Sequence, residues 1–220
     1  MINEKRILLL CGHYGSGKTN IAVNLAMRAK QKHEKVALAD LDIVNPYFRS
    51  KDSSEELNAA GIRLICSEYA NTNVDIPALP QDMYAVTDDR SIHAIIDVGG
   101  DDRGALALGR LSPAILAEGD YEMLMVINRY RPLTRDAASV KEVMQEIEVA
   151  GGIPFTGVIN NSNLGRETTV EDVRASVAYA NEVSEALGLP LVMTAVDERL
   201  AAELEGEIPD LLPLRLQKKI

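Results

Sequence analysis

Residues Gly12-His13-Tyr14-Gly15-Ser16-Gly17-Lys18-Thr19 satisfy the pattern G-x-x-x-x-G-K-[ST] at every fixed position. A loop of this kind turns its backbone N–H groups inward at the positive end of a helix and so makes an anion site. Lys18 adds a point charge for β- and γ-phosphates, and Thr19 offers a hydroxyl to the coordination sphere of Mg²⁺. The flanks agree with this reading. Ile7-Leu8-Leu9-Leu10-Cys11 reads as a buried strand, and Ile21, Leu25, Ala26 and Ala29 recur at helical spacing. Strand, loop and helix together predict a nucleoside-triphosphate site running from Gly12 to Asn20, against the plain alternative of a glycine-rich turn without a ligand.

Phosphoryl transfer needs charge neutralised on the non-bridging oxygens and a nucleophile held in line with the leaving group. Asp97 ends the apolar run Ile95-Ile96 and is followed by Gly99-Gly100, so it suits a second metal carboxylate beside a backbone able to approach a phosphate. A cap on a following helix is the competing role. Asp40 and Asp42 alternate along an extended chain and lean the same way. One suits the metal shell and the other a water, unless both merely belong to a turn before Asn45-Pro46.

The elements that must position these groups are strands near 6–11, 36–40, 62–66, 93–98, 123–128, 155–160 and 191–194, and helices near 18–32, 54–60, 105–117, 134–150, 169–187 and 198–204. Thr134 reads as an N-cap and Gly151 as a C-cap. Most strands lack polar alternation, as expected when helices cover both faces. The pattern predicts one α/β domain over 1–220: a doubly wound, mostly parallel sheet of about seven strands, with a surface excursion at 67–90 and a C-terminal tail at 207–220. Ligands in such sheets sit beyond the carboxyl ends of the strands, where Asp40, Asp97, the polar segment Asn128-Arg129-Tyr130-Arg131-Pro132 and Asn160-Asn161 all fall.

With 220 residues, 46% hydrophobic and 25% charged, the chain suits a globular protein, and its 4% aromatic content makes the core aliphatic. A net charge of −10 argues against a general nucleic-acid surface. Cys11 and Cys66 form no CxxC pair and read as buried, reduced thiols. No apolar span or secretory segment stands out, and prolines 209 and 213 interrupt any helix in the basic, apolar tail, so a cytoplasmic location without membrane contact is expected.

The loop, the Asp-x-Asp after the second strand and the Asp-x-Gly-Gly after the fourth together resemble the MinD/ParA group of P-loop ATPases, over most of the chain. The resemblance implies the P-loop NTPase fold, ATP rather than GTP, Mg²⁺, a face-to-face dimer in the ATP state, and slow hydrolysis stimulated by a protein partner. It implies that Asp42 positions the attacking water and that Asp40 and Asp97 are the metal-shell aspartates of the two switch segments. Asn160 matches the asparagine that reads the adenine edge, and the stretch Ala195 to Asp197 the one that covers the base.

One position departs from the pattern. Where the group carries a lysine reaching the partner's nucleotide, this chain has His13, followed by Tyr14; Arg103 is an alternative charge donor. The expected function is a partner-regulated ATP switch with slow ATP hydrolysis to ADP. The alternative is an ATP-dependent small-molecule ligase or kinase related to dethiobiotin synthetases and cobyrinate amidoligases, its acceptor pocket built by 67–90.

Overall fold

Alternate residues of each central strand feed two different cores. In β1 (Ile7–Cys11), Ile7, Leu9 and Cys11 join the cluster on one face, while Leu8 and Leu10 join the cluster on the other. The same split recurs in β2 (Val36–Asp40), β4 (His93–Asp97) and β5 (Tyr121–Ile127), which is why these strands read as continuous apolar runs. The computed structural model describes residues 5–41, 54–66, 81–100 and 102–216, the side chains of 102 and 103 excepted.

With β3 (Arg63–Cys66), β6 (Gly157–Asn160), β7 (Leu191–Asp197) and β8 (Leu211–Leu214), these strands form one sheet ordered β3-β2-β4-β1-β5-β6-β7-β8. Every pairing is parallel. The fold is therefore the doubly wound α/β architecture expected, with β1 at the point where strand order reverses. Helix α1 (Lys18–Lys30) lies on one face, burying Ile21, Ala22, Leu25 and Ala26 against Leu8, Leu38 and Ile95. On the other face, α6 (Ala137–Gly151) and α7 (Val170–Leu187) bury Val140, Val143 and Tyr179 in the cluster that holds Leu9 and Ile96. Among the described residues, no helix is long and apolar enough to cross a membrane.

Several expected elements shift. Helix 105–117 is two helices, α4 (Asp102–Leu108) and α5 (Ser112–Glu118). The break falls at Gly109, where a Cβ would stand 3.2 Å from the Ala150 carbonyl oxygen, so the chain turns there to pass the end of α6. The N-cap of α6 is Asp136, whose carboxylate accepts from Ser139 N, and not Thr134; its C-cap is Gly152 rather than Gly151. The expected tail supplies β8 on the sheet edge, where Pro213 costs no ladder bond on the open side. Of the expected excursion, 67–80 lies outside the described residues, while 81–88 is a 3₁₀ turn (Gln81–Tyr84) followed by the short α3 (Ala85–Asp88). α2 (Ser54–Ala59) and α8 (Glu198–Leu204) form as expected within a residue.

The amino edge of the sheet is fastened by Arg6. Its guanidinium forks onto both carboxylate oxygens of Glu118 at the end of α5 and donates to the Val86 and Ile92 carbonyls at 3.0 and 2.8 Å. Both side chains are nearly buried, at 10% and 8% exposure. The Arg6 hydrogen bonds hold the Glu118 carboxyl below its ordinary range. Arg6→Ala leaves that carboxylate uncompensated and should cost about 3–5 kcal/mol in denaturant unfolding at neutral pH. The depressed value means the stabilisation is present above the ordinary Glu value of about 4.3 and is lost as pH falls through the folded value. The gap between wild type and variant should therefore close in acid, and a pH-independent gap would contradict the ion-pair account.

Candidate functional site

The loop after β1 is shaped by what surrounds it. A Cβ on Gly12 would meet the Val126 carbonyl oxygen at 2.5 Å, so only glycine lets the chain leave β1 against β5. At the far end Gly17, with φ 90 and ψ 21, caps α1 in a left-handed conformation that turns the chain into the helix. Between them Ser16 N donates to His13 O at 3.2 Å, closing the turn. The Ser16 hydroxyl is buried with no hydrogen-bond partner among the described residues. A loop that curls around an unmatched polar atom at a helix N-terminus has the form of an anion cradle.

Lys18, only 7% exposed, reaches back across the loop to donate to Gly12 O at 2.9 Å and His13 O at 3.4 Å. Its ammonium therefore bridges the first two carbonyls of the loop. Thr19 donates its hydroxyl to Asp97 Oδ2 at 2.6 Å. Asp97 ends β4, Asp40 ends β2, and the two face each other in register at 2% and 6% exposure. Two nearly buried carboxylates side by side, with a hydroxyl on one of them, form an all-oxygen set that favours a hard cation. The residues present thus fit Mg²⁺, which would keep most of its shell as water and phosphate oxygen.

Cys11 lies under this site. Burial pushes its thiol far above the ordinary range, with Lys18 pulling weakly the other way, so it stays protonated and inert. Cys66 ends β3 opposite Asp40 and is half-buried rather than buried. His13 is half-exposed with Nδ1 3.1 Å from Tyr14 O, and Tyr14 is 49% exposed. Asn20 follows Thr19 on α1, where its carbonyl accepts from Asn24 Nδ2 at 2.8 Å. Asp42 and the side chain of Arg103 lie outside the described residues.

Asn160 ends β6. It is fully buried, donating to Ser176 Oγ at 2.8 Å and accepting from Ser162 N at 3.1 Å. Each end of its amide holds one partner within the protein, which leaves one N–H and one lone pair. The neighbouring Asn161 faces the loop, donating to Ser16 O at 2.6 Å, and its Nδ2 occupies the space that a Cβ on Gly17 would need, at 2.3 Å. A shallow cleft opens beside it, lined by Asn161, Ser162, Asn163, Ala195, Val196 and Asp197 among others.

Two further residues border the loop. A Cβ on Gly100 would stand 2.5 Å from Tyr14 N, so the segment after Asp97 rests directly on the loop backbone. Arg131 lies against Gly15 from the β5 side. Both follow strands at the carboxyl edge, where the sequence already places Gly99-Gly100 and 128–132 near a ligand, and the packing shows that the loop is what they touch.

A family model described as the CobQ/CobB/MinD/ParA nucleotide binding domain matches residues 9–170. No curated protein matches the sequence significantly. Solved structures share the fold. FtsY from Mycoplasma mycoides aligns over 90% of this chain and 62% of its own, with 19% identity and a TM-score of 0.58. The cell division protein FtsY from Thermotoga maritima aligns over 87% and 62%, with 19% identity and a TM-score of 0.59. The signal recognition particle 54 kDa protein from Aeropyrum pernix, in complex with GDP, aligns over 87% and 41%, with 17% identity and a TM-score of 0.55. This chain thus spans less than two thirds of the length of each of these structures.

Asn161→Ala removes the side-chain donor to Ser16 O and should destabilise the protein by about 1–3 kcal/mol, the range for a buried group left without its partner. Denaturant unfolding measures it. A change within about 0.3 kcal/mol would mean that the loop does not lean on Asn161.

Proposed function

The chain belongs to the CobQ/CobB/MinD/ParA nucleotide-binding domain family, and we propose that it is a Mg²⁺-dependent ATP switch that hydrolyses ATP slowly and reports the state of its phosphates to a protein partner. The observation that carries this reading is the convergence of Lys18, Thr19, Asp97 and Asp40 on one end of the sheet, beside a loop whose turn is closed by Ser16 N on His13 O.

In this reading the loop amides and Lys18 bind the β- and γ-phosphates, and Thr19, Asp40 and Asp97 hold the cation, which when bound neutralises phosphate oxygens and favours their displacement. Asp42 orients the water that attacks the γ-phosphorus. The bond from the γ-phosphorus to the bridging oxygen breaks, its electron pair stays with the β-phosphate of ADP, and the water's proton passes to the departing inorganic phosphate.

In this reading the base is adenine and lies in the cleft beside Asn161, lined by Ser162, Asn163 and Asp197. Asp197 there accepts from Arg199 N and Arg199 Nε at 3.1 and 2.9 Å. Asn160 is fully buried behind that cleft, with one bond on each end of its amide, so reading the base would draw on its second N–H or its second lone pair.

The response to hydrolysis starts at Gly100. Because it rests on the Tyr14 backbone, any movement of the loop on losing the γ-phosphate displaces the segment after Asp97, and through Gly99 and Gly104 it displaces α4. A partner or a second copy of the chain that contacts α4 or the exposed Tyr14 would read that movement.

ATP and GTP binding by the purified chain, with phosphate release, tests the proposal. Lys18→Ala should abolish triphosphate binding. Asp42→Ala should keep ATP while turnover falls about 10²–10⁴-fold, the range for losing a positioned base. Unchanged turnover in Asp42→Ala would remove it from the mechanism. Turnover that strictly requires a small-molecule acceptor would replace the switch with the ligase or kinase alternative.

A further inference from the structure

β5 borders the phosphate loop at two points. Val126 O fills the space beside Gly12, and beyond the strand end the guanidinium of Arg131 fills the space beside Gly15. A Cβ on Gly15 would stand 3.4 Å from Arg131 Cζ, 3.5 Å from Nε and 3.7 Å from Nη1. Gly15 has a φ of 77°, a left-handed conformation that already excludes most side chains. The guanidinium thus packs against the loop backbone at Gly15.

The backbone holding Arg131 is fixed by buried groups. Arg131 N donates to Asn128 O at 3.0 Å, and Thr134 N donates to Arg131 O at 3.1 Å. The Thr134 hydroxyl donates to Asn128 O at 2.8 Å, Tyr130 N donates to Asn128 Oδ1 at 3.0 Å, and Pro132 restrains the turn. Asn128 and Thr134 are buried, so this turn is part of the core rather than a free loop.

Its charge is uncommitted. Neighbouring Arg129 donates to Ala175 O at 2.7 Å and lies over the Tyr130 ring, and Arg135 pairs with Asp136 at 3.2 Å. Arg131 is exposed and, among the described residues, its side chain has no hydrogen-bond or ion-pair partner. In a chain of net charge −10, an unpaired cation packed against an anion-binding loop has a use for its position.

We infer that Arg131 contacts the β–γ bridge and terminal phosphate of the bound nucleotide from within the same chain, donating its planar N–H fork to the oxygens on which charge grows as the γ-phosphoryl group leaves. The inference rests on the nucleotide reading above and gives the charge at the terminal phosphate to a residue other than His13 and Arg103. The guanidinium needs only to rotate about its side-chain torsions past Gly15, whose missing side chain leaves the way open. No partner subunit is required to supply the charge.

Binding of a non-hydrolysable ATP analogue and of ADP, together with single-turnover phosphate release, is compared in wild type, Arg131→Ala, Arg131→Lys and Lys18→Ala, each shown to be folded by circular dichroism. Arg131→Ala should lower turnover at least about 10²-fold and triphosphate affinity about tenfold, while ADP affinity stays within twofold. Arg131→Lys should recover part of the affinity and little of the turnover, because the charge returns without the fork. Equal behaviour of Arg131→Ala and wild type, with Lys18→Ala unable to bind, would overturn the role of Arg131 and leave the nucleotide reading standing. Failure of wild type to bind either nucleotide would overturn both.

Discussion

The site depends on the placement of β1 between β4 and β5 at the centre of a parallel sheet. A strand paired on both sides and covered on both faces can be left only at its ends, and the carboxyl end of β1 opens where its neighbours' connections run to opposite faces. The loop that fills this gap has almost no freedom. Val126 O confines Gly12, Asn161 confines Gly17, and Gly100 lies on Tyr14. Backbone amides can be held ready for an anion only if the backbone cannot relax away, and here three neighbouring strand ends prevent it.

The same geometry explains why the charged groups are tolerable. Lys18, Asp40 and Asp97 are almost fully removed from water, a costly arrangement unless the charges are matched. Lys18 leans on loop carbonyls, and Thr19 donates to Asp97. These bonds hold the site in shape with groups that a phosphate and its cation would take over, so the folded chain spends little on rearranging itself to receive them.

Much of this was legible in the sequence because it is written locally. The loop pattern, the aspartates ending β2 and β4, and the apolar runs all lie within a few residues of the structures they specify. What the sequence hid depends on contacts between distant segments. The periodicity of 105–117 continues across Gly109, and only the Ala150 carbonyl shows why the helix stops. Thr134 and Asp136 are equally good caps on paper, but Asn128 claims the Thr134 hydroxyl. Asn160 and Asn161 are adjacent and identical, and one faces Ser176 while the other faces the phosphate loop. Pro213 disguised an edge strand as a tail.

That edge strand gives the fold a schedule. Leu212 and Leu214 of β8 pack in the core under α1, Arg215 N donates to Asn24 Oδ1, and Asn24 Nδ2 donates back to Arg215 O. The helix that presents Lys18 and Thr19 is therefore braced by residues made almost two hundred positions later. As the chain leaves the ribosome, the phosphate loop exists early as sequence, but α1 gains its brace only once 211–216 have emerged and added β8. Nucleotide capture would then be coupled to the far edge of the sheet, because the helix that carries Lys18 and Thr19 is steadied by that edge strand.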